Sequence, residues 1–254
     1  MIVQMTNLGH NGRFGNSLFQ AAFLMGFAHK YNATCEIPHD WVGRKIFKIN
    51  HPTISRTLPL YKHDQIPTDQ EVLHSKDGFN FTGYYQYQQA LNYYSINKIL
   101  NWFEFQPWVT ERFPHPNINY IACHIRRGDY LKLKHCFCIP TPSSYHDILN
   151  RLQLNYPVKW ISEEHPLIDK EMEDQGMGFL PDFMQMYYAR ILLRSNSTFS
   201  WWAAALAQNN VLSPIVEDKV GSCDVEFAYG NAPRMADSKN HPGTILTDLN
   251  LKYI

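Results

Sequence analysis

A cluster of charged and polar side chains follows a short apolar run at residues 121–123. It includes His124, Arg126, Arg127 and Asp129. An apolar strand that ends in a turn with basic side chains is how open α/β sheets build anion sites. Arginine binds phosphate oxygens two at a time through its planar guanidinium. The segment therefore predicts a site for a phosphate-bearing ligand, and a surface Arg pair before an ordinary Gly-Asp turn is the alternative.

A glycine-bearing loop near the N-terminus is the second candidate site. It follows a strand predicted at residues 2–5 and reads Gly-Arg-Phe-Gly-Asn-Ser at positions 12–17. Apolar residues near helical spacing then predict a helix from Asn16 to about Tyr31, with Asn16 or Ser17 as its N-cap. The free N–H groups and positive dipole end of such a helix attract anions. Neither a Walker loop nor a dinucleotide fingerprint fits, and a structural turn that needs glycine is the alternative.

The third candidate site is a helix start late in the chain. Asn196, Ser197 and Thr198 precede an apolar, alanine-rich run that predicts a helix from about Phe199 to Gln208. The hydroxyls and free N–H groups of this helix end would face outward, where an anion can bind. Simple N-capping, with the two adjacent tryptophans packed in the core, is the alternative.

Length and composition limit the class of protein. The 254 residues suffice for one large or two small domains, and 44% hydrophobic with 14% aromatic residues support a core. The 23 basic and 23 acidic residues balance, which gives no electrostatic case for nucleic acid or an anionic membrane. We expect no transmembrane segment and no signal peptide. The five scattered cysteines lack zinc-site spacing, so we expect reduced thiols in a cytoplasmic protein and no metal site.

Proline-bearing segments divide the first half of the chain from the second. The first half is predicted to contain strands at 34–37 and 81–85, a loop-rich segment from 38 to about 80, and a helix at 87–102. The prolines around residues 106–119 mark the boundary between domains.

Strands and helices alternate again in the second half. Strands are predicted at 120–125, 158–161 and 211–212, and helices at 143–154 (capped by Ser143 or Ser144), 182–193 and 199–208. Such alternation argues for parallel sheets. The two halves therefore predict an α/β fold with two Rossmann-like domains, 1–110 and 111–254, and a cleft between them.

Four segments together resemble the α-1,2-fucosyltransferases of glycosyltransferase family eleven. They are GRFGNSLFQAA at 12–22, GYYQ at 83–86, HIRRGDY at 124–130 and NSTFSWWAAAL at 196–206. The resemblance spans roughly residues 1–215. The GRFGN, His-x-Arg and Ser-Thr-Phe elements are also similar to those of the protein O-fucosyltransferases.

The resemblance implies a fold and an activity. The fold is GT-B, with the acceptor on the N-terminal domain and the GDP-sugar donor on the C-terminal one. The activity is an inverting, metal-independent transfer of L-fucose from GDP-fucose to a hydroxyl of an oligosaccharide or glycan, with galactoside α-1,2 linkage. Eukaryotic relatives carry a membrane anchor. Another GDP-sugar or protein O-fucosyltransferase, and an inactive glycan- or nucleotide-binding module, are the alternatives.

The resemblance also implies roles for the strand-end residues. Arg126 is expected on the β-phosphate near the leaving oxygen, and Arg127 on phosphate or in support of the loop. His124 shares a strand face with Arg126 and is expected to contact the nucleotide, with a satisfied core imidazole as the alternative. Asp129 is the nearest candidate for a general base. It is also placed to brace the Arg loop, in which case the departing phosphate takes the proton.

Further contacts to the donor are implied in both domains. Asp182 is expected to recognise guanine, with capping of its own helix as the simpler explanation. The remaining positions are Arg13, Phe14, Gly15 and Asn16, of which Asn16 also belongs to the catalytic set, and Asn196, Ser197, Thr198 and Phe199.

The last expectation concerns how the negative charge of the diphosphate is neutralised. Metal-dependent transferases commonly use an Asp-x-Asp pair, which this sequence lacks. Its nearest acidic pair, Glu163-Glu164, would point its side chains apart in a strand. Arginines and helix-end amides supply the stabilisation instead. The sequence also departs from the family, because Ser162-Glu163-Glu164-His165 stands where Ser-Asp-Asp then Trp is common.

Overall fold

The chain divides into two compact units, which are described separately. The computed structural model describes residues 1–207, 209–216 and 219–230. The first unit is Met1–Val109, and the second begins at Thr110. Both contain parallel strands together with helices, which confirms the predicted α/β class. The division lies within the proline-bearing segment expected to separate the domains, and the donor and acceptor roles of the two halves stay predictions.

The first unit is built on a three-stranded parallel sheet in the order β2-β1-β3. Its elements are β1 (Ile2–Gln4), α1 (Phe14–Lys30), β2 (Thr34–Glu36), α2 (Gly43–Ile46), α3 (Asp69–His74), β3 (Gly78–Asn80), α4 (Gln88–Leu91) and α5 (Ile96–Trp102), and α6 (Pro107–Arg112) lies at the division.

Helix α1 is the centre of this unit because it is apolar on nearly every side. Its aromatic side chains pack against those that follow β3, and the Phe23 and Tyr85 rings stack with centroids 4.0 Å apart. The helix begins two residues earlier than predicted, and its N-cap, Arg13, makes no side-chain capping bond. The predicted cap at Asn16 or Ser17 is therefore wrong, since both lie in the first turn.

Two further predictions for the first unit are wrong. The strand expected at 81–85 is absent, and Gly83 and Tyr85 instead have φ angles of 140° and 52°, which an extended strand excludes. The Asp64 carboxylate accepts hydrogen bonds from the backbone N–H groups of Tyr84 and Tyr85 and fixes this turn. The helix expected at 87–102 is two short helices, α4 and α5.

The second unit holds a five-stranded sheet in the order β10-β8-β7-β4-β6, in which β10 alone is antiparallel among the described strands. A parallel pair, β5 and β9, lies apart from it. The elements are β4 (Ile121–Ile125), a 3-10 turn (Gly128–Leu131), β5 (Cys138–Pro140), α7 (Pro142–Leu152), β6 (Val158–Ser162), α8 (Lys170–Asp174), α9 (Leu180–Tyr187), β7 (Ile191–Leu193), α10 (Thr198–Ala207), β8 (Asn210–Pro214), β9 (Gly221–Cys223) and β10 (Phe227–Tyr229).

The main correction in this unit concerns residues 182–193, which were expected to form one helix. Helix α9 ends at Tyr187, and Ile191–Leu193 is strand β7. The three apolar residues of β7 are buried between β4 and β8, as a central strand of a parallel sheet requires. Helix α7 also begins at Pro142 with Thr141 as N-cap, so the predicted caps at Ser143 and Ser144 are wrong. Helix α10 begins at Thr198 and is described to Ala207; its predicted last residue, Gln208, lies outside the described residues.

The register of the sheet brings three strand ends to one edge. Ile125 of β4 pairs with Ser162 of β6, and Cys123 of β4 pairs with Leu193 of β7. The residues that follow each strand therefore meet at the same carboxyl edge, where open α/β sheets bind their ligands.

Candidate functional site

The candidate site is the carboxyl edge of β4, β6 and β7, together with the start of α10. The sequence motif at 124–130 continues from β4, Glu163 and Glu164 follow β6, and Arg194 and Ser195 follow β7. The sequence predicts site residues after β4 and at the start of α10. It presents Glu163 and Glu164 only as an acidic pair unsuited to a metal, and it predicts no role for Arg194 or Ser195.

Arg126 is held between two carboxylates. Its Nη2 donates to Asp129 Oδ1 at 2.7 Å, and its Nη1 is paired with Glu163. The guanidinium also lies over the Tyr130 ring, 5.2 Å from the centroid, and the side chain is only 12% exposed. Asp129 thus braces Arg126 in this state, which is one of the two roles expected for it.

Arg127 makes a weaker pair on the outside of the same edge. Its Nε lies 3.6 Å from Glu164 Oε1, and both side chains are close to half exposed. Exposed pairs of this kind contribute little to stability. The two Arg-Glu pairs repeat the strand register, because residues 126 and 127 continue β4 as residues 163 and 164 continue β6. Their acidic partners were detectable from the sequence as two adjacent carboxylates that begin two residues after a predicted strand.

His124 lies inside the edge and is bonded to the neighbouring strand. It is 3% exposed, and its Nδ1 lies 2.8 Å from Ser195 Oγ. Burial lowers the pKa of His124 to about 3, and the positive charges of Arg126 and Arg194 act in the same direction. The imidazole is therefore neutral at physiological pH. Its ring centroid is 5.9 Å from that of Phe199, so two of the predicted donor residues lie together.

Arg194 is a buried cation whose role was not predicted from the sequence. It is 1% exposed, its Nε donates to Ser213 Oγ at 2.6 Å, and its Nη1 donates to the Ser195 carbonyl at 3.1 Å. Burial lowers the pKa of Arg194 to about 9, so the side chain remains charged at neutral pH. The detectable signal was an apolar run, residues 191–193, that leads directly into an arginine, much as strand β4 leads into Arg126.

The start of α10 combines capping with a buried amide. Ser197 Oγ accepts a hydrogen bond from Phe199 N at 3.3 Å, which is the capping role given as the alternative. Thr198 is the first helical residue. The Asn196 side chain is buried, and neither its oxygen nor its nitrogen has a hydrogen-bond partner among the described residues. Trp201 and Trp202 are fully buried, consistent with packing.

Asp182 lies in the first turn of α9 but does not cap it. Its Oδ1 accepts a hydrogen bond from Leu167 N at 3.2 Å, and the helix has no side-chain capping bond. Burial raises the pKa of Asp182 to about 6, against the hydrogen bond from Leu167, which lowers it. Capping of its own helix, the simpler explanation for this residue, is therefore wrong.

The N-terminal loop is tied to the segment 83–86 within the first unit. Asn16 Oδ1 accepts from Gln86 Nε2 at 3.1 Å, and Gln20 Nε2 donates to the carbonyls of Asn11 and Gly83, both at 3.0 Å. Two of the four family-like segments are thus held together by the side-chain amides of Asn16, Gln20 and Gln86, of which Gln20 is buried.

The other residues predicted in this loop have defined places. Phe14 is buried and stacks on Phe47 with centroids 6.2 Å apart, and Gly15 is buried within α1. Arg13 occupies the N-cap position of α1. Gly12 has a φ of 85°, and a side chain there would collide with Asn16, so this turn requires glycine. The contacts of Arg13, Phe14, Gly15 and Asn16 with a donor stay predictions.

No group of three or more His, Cys, Asp or Glu side chains is arranged to hold a metal ion within residues 1–207, 209–216 and 219–230. Over the same ranges, the helices are too short or too polar to cross a membrane.

The sequence matches no protein-family model and no curated protein sequence. In fold, the chain is similar to the fucosyltransferase NodZ from Bradyrhizobium, with a TM-score of 0.52 and 13% identity over 90% of this chain and 98% of that one. A NodZ α-1,6-fucosyltransferase soaked with GDP-fucose gives a TM-score of 0.51 at 12% identity, covering 90% of this chain and 98% of that one. A mutant of Arabidopsis thaliana FUT1 in complex with GDP gives 0.50 at 13% identity, covering 98% of this chain and 79% of that one. These similarities confirm the predicted GT-B type of α/β fold.

Proposed function

We propose that the protein is an inverting, metal-independent glycosyltransferase that transfers L-fucose from GDP-fucose to a hydroxyl of a glycan. The observation that carries the proposal is the strand-end arrangement of Arg126 and His124 beside the start of α10. It occurs in a fold shared with fucosyltransferases whose structures contain GDP or GDP-fucose.

The proposed reaction breaks the bond between the anomeric carbon of fucose and the β-phosphate. Negative charge builds on the departing diphosphate, and Arg126 is the residue that stabilises it. In the structure, the Arg126 guanidinium already binds two carboxylates, Asp129 and Glu163. Phosphate oxygens offer acceptors of the same kind, so the donor exchanges with at least one of these carboxylates. The amides at the start of α10 add stabilisation without a metal.

The nucleotide is assigned to the buried groups of the same edge. His124 is neutral, and because its Nδ1 is hydrogen-bonded to Ser195, it has Nε2 to offer to guanine or phosphate. Asp182 is proposed to accept from the N–H groups of guanine. Asn196, Ser197, Thr198 and Phe199 are proposed to line the phosphate and the fucose. From the first unit we propose contacts by Arg13, Phe14, Gly15 and Asn16.

The proton of the acceptor hydroxyl goes to Asp129 or to the departing phosphate. Asp129 becomes available as a base when the diphosphate takes its place on Arg126. The galactoside α-1,2 linkage is proposed from the sequence resemblance alone, since one structural neighbour is an α-1,6-fucosyltransferase. A cytoplasmic location is likewise proposed from the cysteine pattern alone.

The experiment that tests the proposal is an acceptor array with GDP-fucose, in the presence of EDTA, followed by linkage analysis of the product. Transfer of fucose from GDP-fucose without added metal supports the proposal. GDP binding without transfer to any glycan or protein acceptor favours the inactive binding module instead. Activity that is lost with EDTA and restored by manganese contradicts the metal-independent mechanism.

A further inference from the structure

The hydrogen bond between Ser195 and His124 joins two neighbouring strand ends inside the candidate site. Both side chains are buried, with Ser195 fully buried, and Oγ lies 2.8 Å from Nδ1. Within the described residues, Ser195 is the hydrogen-bond partner of the imidazole ring. The bond exists because β4 and β7 are paired in parallel register, so residue 124 lies beside the residues that follow Leu193.

The backbone around Ser195 is fixed from several sides. Its carbonyl accepts hydrogen bonds from Arg194 Nη1 at 3.1 Å, from Ser197 N at 2.9 Å and from Ser200 Oγ at 3.4 Å. Because these contacts fix the backbone, the side-chain hydroxyl is the part of Ser195 that can change its hydrogen bonding. A serine hydroxyl rotates to donate or accept, so its direction is set by what the imidazole requires.

The backbone of His124 is fixed independently of Ser195. The Tyr145 hydroxyl donates to the His124 carbonyl at 2.8 Å, and β4 is paired on both sides, with β6 and β7. The hydrogen bond with Ser195 therefore influences the imidazole ring of His124 and not the position of its backbone. Removing it is expected to change the state of the imidazole more than the position of the strand.

Because the His124 ring is neutral, its hydrogen bond with Ser195 determines where the ring proton lies. A neutral imidazole carries one proton, and the hydrogen bond on one nitrogen determines which nitrogen holds it. The phosphate groups of a nucleotide donor present only hydrogen-bond acceptors. Because Nδ1 is bonded to Ser195, His124 can donate to a phosphate only if its N–H is at Nε2. Nδ1 must then accept a hydrogen bond, and Ser195 is placed to donate it.

We propose that Ser195 is a positioning residue for the transfer reaction: its hydroxyl donates to Nδ1 of His124 and holds the imidazole in the Nε2–H form that binds the nucleotide. This inference rests on the proposed function for the identity of the ligand. The state of the ring itself is a property of the protein without ligand, so the two are tested separately.

The test is a spectrum of the protein labelled with ¹⁵N-histidine, in which His124→Gln identifies the His124 signals. In the wild-type protein, Nδ1 is expected at the shift of an unprotonated nitrogen and Nε2 at that of a protonated one, unchanged between about pH 5 and pH 8. Ser195→Ala is expected to shift His124 toward a mixture of the two neutral forms. A wild-type spectrum with the proton on Nδ1 overturns the proposal without recourse to any variant.

Ser200→Ala is the matched control, because this buried hydroxyl bonds to the Ser195 and Ser197 carbonyls and not to the ring. It is expected to keep the wild-type His124 spectrum. For turnover, Ser195→Ala is expected to raise the KM for GDP-fucose by about fivefold, with a smaller change in kcat, as the loss of one neutral hydrogen bond predicts. Equal effects of the two variants on KM contradict a positioning role.

The test also covers a Ser195→Ala variant that does not fold and a wild-type protein that does not bind GDP. If Ser195→Ala does not fold, Ser195→Cys retains the side-chain volume with a weaker donor, and its His124 spectrum is expected to lie between wild type and a mixture. A wild-type spectrum for a folded Ser195→Cys and Ser195→Ala overturns the proposal. If wild type binds no GDP, the proposed function fails while the ring state remains measurable.

Discussion

The Arg126 guanidinium pairs with the Glu163 carboxylate, and each residue lies one position beyond the end of its strand. Ile125 and Ser162 are the last residues of β4 and β6 and are partners in the parallel register. The pair therefore follows from the register of the sheet. Arg126 is the proposed diphosphate ligand, and before the donor arrives it is paired with both Glu163 and Asp129, so the donor must compete with these carboxylates for it.

Glu163→Gln is expected to tighten the binding of GDP by about three- to tenfold. The amide keeps the shape of the side chain but removes the negative charge that competes with the diphosphate for Arg126. Isothermal titration with GDP gives the Kd directly. Glu164→Gln is the control, because Glu164 pairs with the exposed Arg127 at 3.6 Å and is expected to leave the Kd within about twofold. Weaker binding by Glu163→Gln would show that Glu163 instead holds Arg126 in its binding position.

Arg126→Lys is expected to lower turnover by about 10²-fold or more with the fold retained. An ammonium group cannot reproduce the two-pronged contact of a guanidinium with the diphosphate in the transition state. Arg127→Lys is the matched comparison, since its side chain is 42% exposed against 12% for Arg126. The measurements are kcat and thermal melting of both variants. A folded Arg126→Lys with near wild-type turnover places the catalytic centre elsewhere, and loss confined to Arg127→Lys assigns the diphosphate to the second arginine.

The parts of the fold that were predictable are those determined by local patterns. The apolar run of β4 and the charged residues after it were found because a buried strand and a strand-end site both leave a signal in consecutive residues. Helix α1 was found by its apolar spacing, but its start was misplaced, because Arg13 caps the helix by backbone geometry without a side-chain bond. Residue types that favour the N-cap position therefore did not locate the start of α1.

The parts that were missed depend on contacts between distant segments. Ile191–Leu193 has the apolar character of a buried helix as much as of a buried strand, and its pairing with β4 and β8 decides between them. The roles of Glu163, Arg194 and Ser195 require the strand order β7-β4-β6, which no local pattern contains. The three motifs were therefore identified from sequence, and the partners of their side chains were not.

GDP is expected to raise the melting temperature of the protein, and UDP at the same concentration is expected to leave it unchanged. A ligand that binds only the folded state stabilises it by about 2.7 kcal/mol at 100 times its Kd. The guanine assignment rests on His124 and Asp182, so Asp182→Asn is expected to reduce the shift caused by GDP. Differential scanning fluorimetry with both nucleotides measures these changes in melting temperature. Equal shifts with GDP and UDP would remove the guanine assignment while leaving the diphosphate site in place.

Asp182→Asn is also expected to change how stability depends on pH. Burial raises the pKa of Asp182 to about 6 from its ordinary value of 3.8. Between these values the folded protein binds more protons than the unfolded chain, so the contribution of Asp182 to the free energy of unfolding falls as pH rises. His124 acts in the opposite direction, because its lowered pKa makes the fold less stable as pH falls below 6.5. The wild-type curve therefore contains both effects, and only a difference between variants isolates one of them.

The measurement is the free energy of unfolding in urea between about pH 4 and pH 7 for wild type and Asp182→Asn. The variant is expected to gain stability relative to wild type as pH rises from about 4 to 6, because the asparagine does not ionise in its buried position. Asp174→Asn is the control, since it removes a carboxyl that is exposed on α8 instead of a buried one. A constant difference between Asp182→Asn and wild type across this range would show that Asp182 titrates normally. The residue would then ionise in the folded protein as it does in the unfolded chain, and burial would not be the dominant influence on its pKa.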